Sequence, residues 1–358
     1  MSDGDGFRHG ITPGITAFQR LMTPSACRAL GVIYFSTSFE GGSLDMSSYL
    51  AQLMQVLFVL GFAPLLKGIM DRYRARLNGR HGPPIWQPYR DLRKWWSKET
   101  IRSNRTSWIS TGAPIVYFIA PILVAMLIPV LTTFPLPFAW MGDMLGGGMI
   151  LGGAGLALLF AALDSGSVYP ALGVSRIRLI GTFTEPLSLI LVFTAASTAG
   201  ATIPFIVNQI WVSPDWRWSI SHGLLVVGWF LLLIAEAGRI PVDNPSTAQE
   251  LSMIDPARVF ESSGPDLALY EWGGWMKFTV LSIILMNVLT TPWGLATRLH
   301  WISVLGACIL VAAKLILMAL VLVTIEAGFA KLRLIRNVDY LTAAIVLAAA
   351  GALGANLI

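Results

Sequence analysis

The sequence predicts an all-α integral membrane protein of about eight transmembrane helices, with both termini on the non-cytoplasmic side. Three observations carry this. Of the 358 residues, 55% are hydrophobic and only 13% are charged, whereas a soluble domain uses roughly 25% charged residues. Apolar stretches long enough to cross a hydrocarbon core, about 20 residues each, recur along the chain. Basic residues collect in alternate loops, as they do in loops that stay in the cytoplasm.

The expected spans lie near 48–70, 113–133, 145–163, 180–200, 218–236, 277–297, 302–326 and 339–357. Residues 1–47 read as an extramembrane tail, and 48–358 as one polytopic membrane domain with cytoplasmic loops 71–112 and 237–276. The third span is rich in glycine (Gly146, Gly147, Gly148, Gly152, Gly153, Gly155), which predicts close helix approach. Orientation follows from a count of Lys and Arg. Loops on the side of 71–112 hold seventeen and the opposite side holds five. That bias puts the long loops in the cytoplasm and both termini outside, which in a bacterial inner membrane is the periplasm.

Composition also excludes classes. The net charge of +5 is topology rather than a nucleic-acid footprint, because no helix-turn-helix, zinc-finger or RNA-binding pattern accompanies it. Cys27 and Cys308 are the two cysteines. A disulfide framework, a zinc site or an iron–sulfur cluster needs clustered ligands, so no metal centre is expected in this chain.

The two long loops differ. Residues 89–98, YRDLRKWWSK, read as an amphipathic helix in the membrane interface, a contact with lipid. Loop 237–276, with Glu236 at its entrance, carries seven acids (Glu236, Asp243, Glu250, Asp255, Glu261, Asp266, Glu271) against Arg239 and Arg258. An acidic loop gains nothing from an anionic lipid surface, so it is expected to fold into the protein or dock a partner.

Charges within spans are costly and need a reason. Lys67 can extend its ammonium to the interface. Asp164 and Glu326 stand at helix ends, where water can reach them. Lys314 and Glu185 are too deep for that. They are either a static buried pair or part of a proton relay.

The most constrained stretch is EAGRIPVDNPSTAQEL from Glu236. Glu236 and Arg239 are three apart and share a helix face, and Pro241 and Pro245 stop the helix around Asp243. This stretch resembles the family that joins ion-translocating, membrane-bound nickel–iron hydrogenases to respiratory complex I. The match is to the membrane subunit beside the hydrophilic arm. Glu236, Arg239, Pro241 and Asp243 stand at the positions of the family's E-x-x-R-x-P-x-D pattern. A second block, FESSGPDLALYEWGGWMK at 260–277, contains Glu261 and Glu271. A third, RHGPPIWQPYRD at 80–91, contains Arg80, Gly82, Pro83, Gln87, Arg90 and Asp91, and its short spacing is similar to the formate hydrogenlyase branch. Asp255-Pro256 stands where that branch often has His-Glu.

The resemblance implies a non-redox subunit of a respiratory or formate-hydrogenlyase-type hydrogenase complex. It implies no cofactor in this chain, with nickel–iron and iron–sulfur centres carried by partners. Those partners would be a hydrogenase-like large subunit, an iron–sulfur small subunit, a ferredoxin-like subunit and antiporter-like membrane subunits. Glu185, Glu236, Asp243, Glu250 and Glu261 would line a proton path continued by Lys314 and Glu326. Arg239, Pro241, Glu271 and the 80–91 residues would serve structure and docking. The alternatives are a quinone-binding subunit of a complex I-like NADH or ferredoxin dehydrogenase, a structural anchor, and a stand-alone transporter.

Overall fold

The computed structural model describes residues 46–103, 106–213, 218–243 and 253–356. The predicted tail 1–47 therefore lies almost entirely outside the described residues. Ten α-helices cover most of the rest: α1 Met46–Leu77, α2 Gln87–Trp96, α3 Trp108–Leu127, α4 Met144–Asp164, α5 Val168–Ala199, α6 Pro204–Val212, α7 Ile220–Glu236, α8 Gly264–Ile283, α9 Trp301–Gly328 and α10 Leu334–Asn356. All-helical structure is what a bilayer demands, since a helix satisfies its own backbone polar groups.

Each of the eight expected spans corresponds to a helix. Seven are long and apolar enough to cross a membrane, and α7, at 17 residues, is shorter. At 1.5 Å per residue α7 reaches about 25 Å, just under the hydrocarbon thickness of about 30 Å. Ser219 caps it by accepting from the His222 amide at 3.2 Å.

Successive spans run up and down. Asp164 at the end of α4 accepts from the Ser107 amide (2.7 Å) and the Ser110 hydroxyl (2.6 Å) at the start of α3. Arg74 near the end of α1 pairs with Glu326 near the end of α9. One end of the bundle thus gathers the ends of α1, α4, α7 and α9 with the starts of α3 and α8. Buried Val59, Phe62, Leu66 and Met70 of α1 and Met276 and Ile283 of α8 contribute to the central apolar core.

Two expectations are corrected. Helix α8 begins at Gly264 rather than 277, so the acidic loop is shorter and Asp266 and Glu271 are helical. Charge in 264–277 masked the helix start, but these charges are paired or turned into the protein. Helix α8 ends in a seven-residue π-helical stretch, Ile284–Thr290. Helix α4 packs closely on α3, but its glycines account for this only in part. Added methyls at Gly148, Gly152, Gly153 and Gly155 would meet open space, and only Gly147 faces α3, near Val124. Close approach occurs also at Gly273 of α8, where a Cβ would lie 2.8 Å from the Tyr117 ring of α3.

Helix α2 matches the expected amphipathic segment, shifted by two residues. Pro88 and Leu92 are buried, and Arg90, Arg93 and Lys94 are exposed. Trp95 and Trp96 lie 6.4 Å from Trp275 and Trp272 of α8, and the Tyr89 hydroxyl donates to the Gly61 carbonyl. Burial pushes the Tyr89 phenol above its ordinary pKa.

Candidate functional site

Helix α7 stops at Glu236 because the chain turns through Gly238, which has a positive φ of 55°, before reaching Pro241. The turn separates Glu236 from Arg239. They do not pair with each other. Glu236 receives a 2.6 Å bond from the Lys277 ammonium on α8. Arg239 lies 3.7 Å from Glu326 on α9 and stacks on the Phe278 ring, 5.4 Å from its centroid. Burial pulls the Arg239 guanidinium below its ordinary pKa, and the Glu326 carboxylate opposes the shift.

Between these groups lies a cavity of about 160 Å³. Its wall carries Lys67, Arg239, Arg258 and Lys277 against Glu236, Asp255 and Glu271, with Tyr117, Tyr270, Trp275 and Phe278 as an aromatic side. Isolated charges in such a site are unfavourable, and opposite charges within reach offset that cost. A chain of pairs continues from the wall. Lys67 bonds Asp71 at 2.8 Å, Asp71 lies 3.7 Å from Arg74, Arg74 bonds Glu326, and Glu326 faces Arg239.

Asp243 has a different role. Its side chain is 1% exposed and accepts from the Ile254 and Asp255 amides at 3.1 and 2.9 Å and from the Lys331 ammonium at 2.7 Å. It therefore pins segment 253–259 and the α9–α10 connection together. Pro241 takes part through its carbonyl, which accepts from the Leu332 amide at 2.9 Å. Asp255 in turn pairs with Arg258, so the Asp255-Pro256 position lies in the cavity wall.

The structure brings together Glu236, Arg239, Glu271 and Glu326, with Asp243 one turn of chain away. It does not bring Glu185, Glu261 or Lys314 to them. Glu185 is 64% exposed on the outer side of α5, 3.5 Å from Arg178. Glu261 is exposed. Lys314 donates to the Thr291 and Trp293 carbonyls at 2.7 and 2.5 Å, beyond the end of α8 and away from the cavity. A Lys314–Glu185 pair does not form. Glu250 lies outside the described residues. In the third block, Gly82 packs so tightly on α1 that a Cβ would lie 2.9 Å from the Arg72 backbone. Gln87 donates to Asp91 at 2.9 Å, while Arg80, Pro83 and Arg90 are exposed.

Sequence reasoning missed Asp71, Arg74, Asp255, Arg258, Lys277 and Lys331 as site residues. In the sequence Arg74 and Lys331 stand out only as markers of topology, and Arg258 only as a counter-charge in the acidic loop. The spacing of Lys67, Asp71 and Arg74, four and then three residues, was the available signal for pairs on one helical face.

The family described as NADH dehydrogenase matches residues 50–354. Formate hydrogenlyase subunit 4 of Escherichia coli (strain K12) is 30% identical over 80% of this chain and 92% of its own length. Hydrogenase-4 component C of the same organism is 29% identical over 80% of this chain and 87% of its own length. Among solved structures, a chain of the membrane-bound sulfane sulfur reductase, an archaeal respiratory membrane complex, superposes with a TM-score of 0.74 at 21% identity. That superposition covers 87% of this chain and 100% of that one, and it speaks to the fold.

Proposed function

This chain belongs to the NADH dehydrogenase family, and from that membership we propose that it is the non-redox membrane subunit of a formate-hydrogenlyase-type hydrogenase complex. In this reading it anchors the catalytic arm and converts electron transfer there into movement of protons or Na⁺. The charged end of the bundle faces the cytoplasm, where Arg80, Pro83 and Arg90 meet the arm. Partners carry the nickel–iron and iron–sulfur centres.

One observation carries the reading. The Glu236–Lys277 pair stands in the wall of a cavity that also holds Glu271 and Arg239, and Arg239 passes the contact on to Glu326 and Arg74. A change of charge beside the cavity alters the pairing of Glu236, and with it the affinity of that carboxylate for a proton. Vesicles containing the assembled complex test this. Glu236→Gln is expected to leave hydrogenase activity near wild type and to abolish redox-driven acidification or Na⁺ uptake. Undiminished ion movement in that variant rejects the reading.

A second reading, quinone in the same cavity, is favoured by the aromatic side of the wall and by the Tyr270 hydroxyl. That group is buried without a hydrogen-bond partner among the described residues. Lys67, Arg239 and Tyr270 would supply donors to the quinone oxygens, and Tyr117, Trp275 and Phe278 would flank its ring. Quinone extracted in stoichiometric amount from the purified complex supports this reading, and its absence argues against it.

A further inference from the structure

A second polar region occupies the other end of the bundle and contains mainly amides. Gln55 of α1 donates to the Ala125 and Ile128 carbonyls at 2.5 and 3.0 Å, and Gln52 to Met126 at 3.2 Å. Asn287 donates to Pro129 and Val130 at 3.2 and 2.9 Å. Asn208 of α6 donates to the Asn287 and Pro292 carbonyls at 2.6 and 3.1 Å. These carbonyls are released where α3 and α8 end inside the protein. Non-helical backbone at membrane depth is tolerated only when it is satisfied in this way.

Every one of these amides uses its nitrogen. The four oxygens, Gln52 Oε1, Gln55 Oε1, Asn208 Oδ1 and Asn287 Oδ1, are buried without a donor among the described residues. The side chains belong to residues 3%, 0%, 0% and 0% exposed. All four are tied to two neighbouring segments, 125–130 and 287–292. Buried acceptors of this kind are ordinarily satisfied by internal water, which needs a polar site with several partners. A bound cation is disfavoured, because the Lys314 ammonium holds the Thr291 and Trp293 carbonyls on either side of the Pro292 carbonyl that Asn208 uses.

We propose that this end of the bundle holds a buried water cluster on the amide oxygens of Gln52, Gln55, Asn208 and Asn287, and that the cluster gives the aqueous phase opposite the charged cavity access to the neighbourhood of Lys314. An apolar layer separates it from that cavity. On α1, buried Val56, Val59 and Phe62 lie between Gln55 and the cavity residue Ala63. On α8 and the π-helical stretch after it, buried Val280, Ile283, Ile284 and Leu285 lie between Lys277 and Asn287, and the buried Thr279 and Ser282 hydroxyls there donate to the Trp275 and Phe278 carbonyls of the same helix. Assignment of the cluster to an ion path rests on the function proposed above, whereas the cluster itself does not.

Silver ion, a small hydrated thiol reagent, tests it in the assembled complex. Cys27 and Cys308 are first replaced by alanine, and Gln52→Cys, Asn208→Cys and Val59→Cys are introduced separately. Silver added at the end opposite the charged cavity should block later maleimide labelling of positions 52 and 208 at least tenfold faster than of position 59. Equal rates at all three positions overturn the proposal. The unsubstituted complex provides a second measurement should a variant fail to assemble. A cryo-EM map that resolves water elsewhere should show density within hydrogen-bonding reach of Gln55 Oε1, Asn208 Oδ1 and Asn287 Oδ1, and empty space there overturns the proposal. Neither readout depends on ion movement, so failure here leaves the proposed function standing.

Discussion

The Lys277 ammonium lies 2.6 Å from the Glu236 carboxylate and joins α7 to α8 in the wall of the charged cavity. Removing one member of a fully buried pair leaves an uncompensated charge and costs about 3–5 kcal/mol, whereas replacing both by neutral groups is often close to neutral; with side chains 18% and 29% exposed, this pair should lose less than that. Lys277→Met alone should therefore lower the melting temperature of the purified complex. The double variant Glu236→Gln with Lys277→Met should recover most of that loss without recovering ion movement. Differential scanning calorimetry and vesicle acidification separate the two outcomes.

Glu326 accepts contacts from both Arg74 and Arg239. Glu326→Ala should destabilise more than Arg74→Ala, because it leaves the buried Arg239 without its carboxylate and Arg74 with only Asp71 at 3.7 Å, rather than one carboxylate with its second partner. A double-mutant cycle on Arg74 and Glu326 should give a coupling of about 0.5–3 kcal/mol. Strict additivity of the two single effects would refute the shared contact.

Asp243→Ala should behave unlike Glu236→Gln. It removes the acceptor for two backbone amides and the Lys331 ammonium, so segment 253–259 should become sensitive to protease added at the charged end. On the function proposed above, the catalytic arm should be lost from the purified complex. Asp243→Asn keeps one acceptor oxygen and should show the defect in milder form. Limited proteolysis with subunit gels reads both.

Gly273→Ala should push α8 away from α3. The added methyl would meet the Tyr117 ring at 2.8 Å and its carbonyl oxygen at 3.0 Å. Overpacking of this kind costs about 1–3 kcal/mol. Gly153→Ala, which meets open space on α4, is the control and should melt within a degree of wild type.

Helix existence was legible in the sequence because apolar length dominates in a bilayer, and every expected span has its helix. Helix limits were less so. The start of α8 carries Asp266 and Glu271, which read as loop until Arg102 is seen bonding Asp266 at 2.8 Å and Glu271 is seen in the cavity wall. In the site, the acids Glu236 and Glu326 were visible because acids are rare at that depth. Of their partners, Arg239 was visible in the same motif, Arg74 was hidden among basic residues that the positive-inside pattern already explains, and Lys277 stood at the first residue of an expected span. Glu185 looked equivalent to Glu236 by depth along its helix. Only the rotation of α5 sends it outward, and depth alone carries no information about rotation.

The layer formed by Val59 and Phe62 on α1 has an electrical consequence. Voltage across an energised membrane falls where the dielectric is low, not evenly over the lipid thickness. From Gln55 to Ala63 is eight residues, or about 12 Å of helix, against about 30 Å of hydrocarbon. With water on the amide oxygens and a charged cavity on the other side, nearly the whole potential drops over that short stretch, at roughly 2.5 times the average field. An elementary charge moved across it exchanges about 2.3 kcal/mol per 100 mV, so a step of little more than two helical turns does the electrical work of a full crossing.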